Sequence, residues 1–91
     1  MLTSSQIRAA RGCLNMSQLE LARETGISTN TIFRLEGDEK LLEKANLSTI
    51  KKIKSFFEDQ GIKFLASPEG DGTGEGLRYF PNKKVSEKGP S

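Results

Sequence analysis

Histidine and tryptophan are absent from this chain, and cysteine occurs once. A lone Cys13 cannot form an internal disulfide, and without histidine it cannot complete a zinc site, so a reducing cytoplasmic setting is expected. Most nucleophile–base arrangements disappear with the same residues. The expectation is therefore no enzyme, no catalytic residue, no metal and no cofactor. Long apolar runs are also lacking, which argues against a transmembrane helix, and the N-terminus has no basic region followed by an apolar stretch, so no secretory signal is expected. Charge of one sign is scarce too: 14 basic residues stand against 12 acidic ones, for a net +2. Residues 1–65 carry that whole excess, while 66–91 are balanced. Such a modest total makes affinity for nucleic acid depend on where the positive charge sits. A length of 91 residues suits one small core.

The chain is organised around Ser17 to Glu36. Ser17 and Glu20 have capping-box spacing, in which the hydroxyl takes the N–H of residue 20 and the carboxylate reaches back. The helix this opens runs to Thr25, with Leu19 and Ala22 expected on its inner face. Gly26 follows, where the backbone can turn at positive φ without a Cβ penalty. Ile27 points inward, and Ser28 is a new N-cap for a helix whose inner face is Ile32 and Leu35. Two capped helices with glycine at the turn, and a small Ala22 where they cross, describe a helix-turn-helix.

The pieces Ser17-Gln18, Leu21-Ala22, Gly26-Ile27-Ser28, Thr31-Ile32 and Leu35-Glu36 resemble the helix-turn-helix of the Cro and cI phage repressors and their bacterial relatives, the XRE family. The likeness extends back to Ile7-Arg8-Ala9-Ala10-Arg11 and forward to Asn46-Leu47-Ser48-Thr49-Ile50. It implies a mainly α, lambda-repressor-like bundle of four to five helices, here with a short C-terminal β-hairpin or strand pair. It also implies an ion pair between Arg11 and Glu36 that locks the first helix to the third, and a Gln18 that holds a DNA phosphate. The family's usual partners are double-stranded DNA with a palindromic operator and a second copy of the chain.

Around this centre, Thr3-x-x-Gln6 is another capping box, opening a helix to about Leu14 with Ile7, Ala10 and Leu14 inward. Cys13 is expected as a small core residue, in preference to a reactive thiol. Residues 37–45 form a loop or short helical turn in which Asp38, Glu39 and Glu43 dilute Lys40 and Lys44, where the resemblance implies a basic loop. Asn46 caps a further helix with the stripe Leu47, Ile50, Ile53 and Phe57, ended by Gly61. Lys51, Lys52 and Lys54 lie off that stripe, as a solvated face or a nucleic-acid contact. Ile62–Leu65 and Leu77–Phe80 read as short strands. Between them 66–76 is a glycine-rich loop that matches no phosphate-binding pattern. The expected layout is a helix-turn-helix unit at 1–61, a strand and loop extension at 62–81, and a tail at 82–91.

In helix-turn-helix geometry the second helix enters the major groove. That presents Thr29, Asn30, Phe33 and Arg34. Arg34 can donate two hydrogen bonds to a guanine edge, or form a surface salt bridge. Asn30 can pair with adenine or reach a phosphate. Phe33 can lie against a thymine methyl or pack on the loop that follows. Ser17, Thr31 and Lys40 are candidate phosphate contacts beside Gln18. Phe56, Phe64, Leu77 and Tyr79 are candidates for a dimer surface, with the strands joining within or between chains. The expected function is a sequence-specific transcriptional regulator, a repressor, in a bacterial or phage-infected cytoplasm. The competing expectation is an antitoxin or anti-activator that keeps the fold and binds a protein.

Overall fold

The computed structural model describes residues 2–65 and 76–81. The glycine-rich stretch at 66–75 and the tail at 82–91 lie outside the described residues, and with them the expectations placed there. Five helices are followed by two strands: α1 (Ser4–Cys13), α2 (Gln18–Thr25), α3 (Thr29–Gly37), α4 (Glu39–Glu43), α5 (Leu47–Asp59), β1 (Ile62–Leu65) and β2 (Gly76–Tyr79). The mainly helical class with a C-terminal strand pair is as the sequence indicates.

Local chemistry accounts for the boundaries. Thr3 and Ser17 each form a full capping box, with Gln6 and Glu20 reaching back to the capping residue. Ser28, Asp38 and Asn46 cap α3, α4 and α5 with their side-chain oxygens. Gly26 closes α2 at φ 73°, in the left-handed region where a Cβ is strained. At the end of α1 Asn15 takes that role at φ 53°. The Asn15 N–H donates to Gly12 O and the Met16 N–H to Arg11 O, which together form a Schellman turn.

One core joins all the elements. Ile7 and Ala10 of α1, Leu21 and Ala22 of α2, Ile32 and Leu35 of α3, Leu42 of α4, Ile53 and Phe57 of α5, and Ile62 of β1 are buried together. Each large side chain among them contributes roughly 1.5–3 kcal/mol by leaving water. Helix α3 sits centrally, touching α1, α2 and α4. The strands pair antiparallel within the chain, Ile62 opposite Tyr79 and Phe64 opposite Leu77. Two strands alone are marginal in water. These two rest on helices instead, β1 on α5 and β2 on α1.

Three placements differ from expectation. Leu19 is 50% exposed, and the inner face of α2 carries Leu21 with Ala22. Gln18, Leu21, Ala22 and Thr25 form the i, i+3, i+4, i+7 stripe, and at 100° per residue Leu19 falls roughly 110° from its centre. Leu47 is 66% exposed. Two successive steps of three residues back from Ile53 accumulate about 120° of drift, enough to carry it off the stripe. Cys13 is exposed and not a core residue, because the Schellman turn brings Leu14 and Met16 against the core and leaves the last residue of α1 outside.

Candidate nucleic-acid interface

The α2–turn–α3 unit sets the geometry. With Ile32, Leu35 and Glu36 buried, α3 turns Thr29, Asn30, Phe33 and Arg34 to solvent. Phe33 is 63% exposed, so the alternative of packing on the following loop is not adopted. Arg34 has no ion-pair partner among the described residues, which sets aside its surface salt bridge. An amide, a hydroxyl, an aromatic ring and a guanidinium thus lie on one exposed helix face. That set can offer hydrogen bonds to base edges and an apolar contact to a methyl group.

Behind this face α1 grips the C-terminal end of α3. The Arg11 guanidinium donates to Glu36 through Nε to Oε2 at 2.8 Å and Nη2 to Oε1 at 2.7 Å, a bidentate fork. Its Nη1 donates to the carbonyl of Met16 at 2.9 Å. The Glu36 side chain is 3% exposed and that of Arg11 22%. The hydrogen bond to Glu36 raises the Arg11 pKa against the opposing pull of burial, and the guanidinium stays charged. Arg8 adds a second hold, donating from Nη1 to the main-chain carbonyl of Glu36. A cation there also meets the negative end of the α3 dipole.

Gln18 belongs to the same network. Its Nε2 donates to Glu36 Oε1 at 3.3 Å, which ties the start of α2 to the end of α3. The second N–H of that amide is not used in this contact. Ser17 is exposed, its hydroxyl accepting the N–H of Glu20 at 3.0 Å. The N–H of Ser17 and then its hydroxyl hold the Glu20 carboxyl below its ordinary pKa. Thr31 is half-buried, with its hydroxyl accepting from Ser28 Oγ at 2.8 Å. Lys40 is exposed in the first turn of α4.

The acidic residues around Lys40 have structural partners that spacing did not disclose. Asp38 Oδ1 accepts the N–H of Lys40 at 2.9 Å, capping α4. Glu39 Oε2 accepts the N–H of Ser4 at 3.0 Å, placing a carboxylate at the positive end of α1. Gln6 also does more than complete a capping box. Its Nε2 donates to Leu65 O at 2.8 Å and to Gly76 O at 2.7 Å, clasping the facing ends of both strands. No local sequence signal marks the contacts of Glu39 and Gln6, because their partners lie 35, 59 and 70 positions away.

Of the expected dimer residues, Phe56, Phe64 and Leu77 are partly buried against the core, and Tyr79 is exposed. Phe56 and Phe64 each set a ring edge-on to Phe57, with centroids 5.4 and 5.9 Å apart. Among the described residues, no helix is long and apolar enough to cross a membrane, and no three His, Cys, Asp or Glu side chains gather as metal ligands. No family model and no curated protein matches the chain.

Proposed function

We propose that the chain is a sequence-specific DNA-binding transcriptional regulator of the Cro/cI type, a repressor, acting in a bacterial or phage-infected cytoplasm as a homodimer on a palindromic operator. The observation that supports this most is the pairing of one exposed helix face (Thr29, Asn30, Phe33 and Arg34) with a half-buried Arg11–Gln18 network built on the buried Glu36. Such a network fixes that face relative to the start of α2. On this proposal α3 enters the major groove, Arg34 reads a guanine edge, Asn30 reads adenine or holds a phosphate, and Phe33 meets a thymine methyl. Gln18 uses its free N–H, beside the α2 N-terminus, to hold a phosphate. Ser17, Thr31 and Lys40 supply further backbone contacts, and no catalysis is part of the function.

The test is a titration of a fragment from upstream of the gene at two salt concentrations. Saturable, competitor-resistant binding that weakens steeply with salt is expected, the slope reporting the phosphates contacted. Arg34→Ala should cost about 1–3 kcal/mol and relax preference at one base pair, whereas Gln18→Ala should weaken all sequences alike. No binding to any DNA at low salt would refute the proposal. Two apolar side chains in the open, Phe33 at 63% and Leu19 at 50%, favour a second reading on the same fold: an antitoxin or anti-activator that binds a protein.

A further inference from the structure

A groove of about 560 Å³ opens between α4, α5 and the hairpin, and no residue of α2 or α3 lines it. Its long wall is the face of α5 formed by Leu47, Ile50, Lys51 and Lys54, spaced i, i+3, i+4, i+7. From Leu47 to Lys54 this wall runs roughly 10 Å along the helix. Leu47 stands at it 66% exposed, the most exposed large apolar side chain among the described residues. Glu43, from the end of α4 just ahead of α5, also lines the groove, as does Phe64 of β1. Among the described residues, none of Glu43, Lys51 and Lys54 is in an ion pair.

The charges therefore run in order along the groove, with acid near the N-terminal end of α5, apolar surface in the middle and base beyond it. A wholly acidic ligand would satisfy the lysines and meet repulsion at Glu43, and a basic one would meet the reverse. An antiparallel copy of the same groove satisfies both ends. In a two-fold contact residue i meets j and j meets i, so one arrangement makes every pairing twice.

We propose that this groove is a two-fold interface between copies of the chain, with each Leu47 seated in the other copy's groove and each Glu43 facing the partner's Lys51 and the partner's Lys54. The inference deepens the proposed DNA-binding function by naming the surface that would pair two half-site readers. It is tested without DNA, so the two can fail separately.

Sedimentation equilibrium of the full chain from about 5 to 500 µM should show a reversible monomer–dimer equilibrium, by mass action. Leu47→Glu should raise the dimer dissociation constant at least tenfold, and Glu43→Lys or Lys51→Glu alone about tenfold, since each rim pair occurs twice. The double variant Glu43→Lys/Lys51→Glu should return to within about threefold of the wild type, because it restores the pairing with its sign reversed. All three positions are exposed or half-exposed at the groove edge, and unchanged melting curves would show that the variants fold. A chain that stays monomeric throughout the range overturns the proposal, as does a dimer indifferent to Leu47→Glu, or a double variant no better than the singles. A monomer whose Leu47 and Lys51 amide resonances shift with a synthetic Leu/Glu-repeat peptide would give the groove to another protein and also overturn it. A dimer with these responses that binds no DNA would leave the interface standing and refute the regulatory function.

Discussion

Replacing Arg11 with Met retains much of the aliphatic stem and removes the guanidinium. Three hydrogen bonds are lost: two to the Glu36 carboxylate at 2.8 and 2.7 Å and one to the Met16 carbonyl at 2.9 Å. What remains for a carboxylate only 3% exposed is the 3.3 Å contact from Gln18. Stranding a buried charge in this way costs about 3–5 kcal/mol, against a total of about 5–15 kcal/mol for a small domain. Urea denaturation followed by far-ultraviolet circular dichroism measures it. With a slope near 1–1.5 kcal/mol per molar, the midpoint should fall by about 3 M with the slope unchanged. The double variant Arg11→Met/Glu36→Leu should recover most of the loss, because the cost lies in the orphaned carboxylate more than in the missing pair. A single variant that loses less than about 1 kcal/mol would mean that water or Gln18 satisfies Glu36 unaided, and the argument for a locked α1–α3 junction would fall.

Other perturbations follow from the same structure. Gln6→Ala strips the clasp from Leu65 and Gly76 and should cost about 2–4 kcal/mol, with hydrogen-exchange protection lost first at the paired amides of Lys63 and Arg78; equal loss across α2 and α3 would contradict it. Gly26→Ala, at φ 73°, should destabilise by about 1–2 kcal/mol in the same urea assay, and a neutral result would mean that the turn can rebuild without positive φ. Glu20 has its folded pKa depressed by the N–H and hydroxyl of Ser17, so its contribution is present above the unfolded pKa and is lost as pH falls through the folded one. The Ser17 amide resonance should therefore titrate with a midpoint below that of an unperturbed glutamate, and that titration should be absent in Glu20→Gln.

What was legible in the sequence was what is local. The boxes Thr3/Gln6 and Ser17/Glu20, the caps Ser28 and Asn46, and Gly26 at the turn each act within a few residues, so spacing alone located them. The Arg11–Glu36 pair came from the family resemblance, and its geometry is present. Inward positions failed where three-residue spacing was followed too far from the centre of a stripe, as with Leu19 and Leu47. Asn15 is a local clue to the end of α1, since asparagine tolerates the left-handed conformation that closes the helix. The second partner of Gln6, the reach of Arg8 to Glu36 and that of Glu39 to Ser4 had no such clue. Each joins residues separated by 28 or more positions, which only the packed helices bring together.

The clasp by Gln6 also bears on how the chain is made. Its two acceptors lie 59 and 70 residues downstream, so during synthesis α1 leaves the ribosome long before anything exists for that amide to hold. The α2–α3 turn closes on contacts only a few residues apart and is available early, as low-contact-order elements are. Until β1 and β2 emerge, Phe57 lacks the edge of Phe64, and the core lacks Ile62. The nascent protein thus carries its exposed α3 face while its own interior is still open on the hairpin side. A premature stop after Gly37 and before Leu65 would release a chain with its α2–α3 unit encoded in full and its clasp permanently empty.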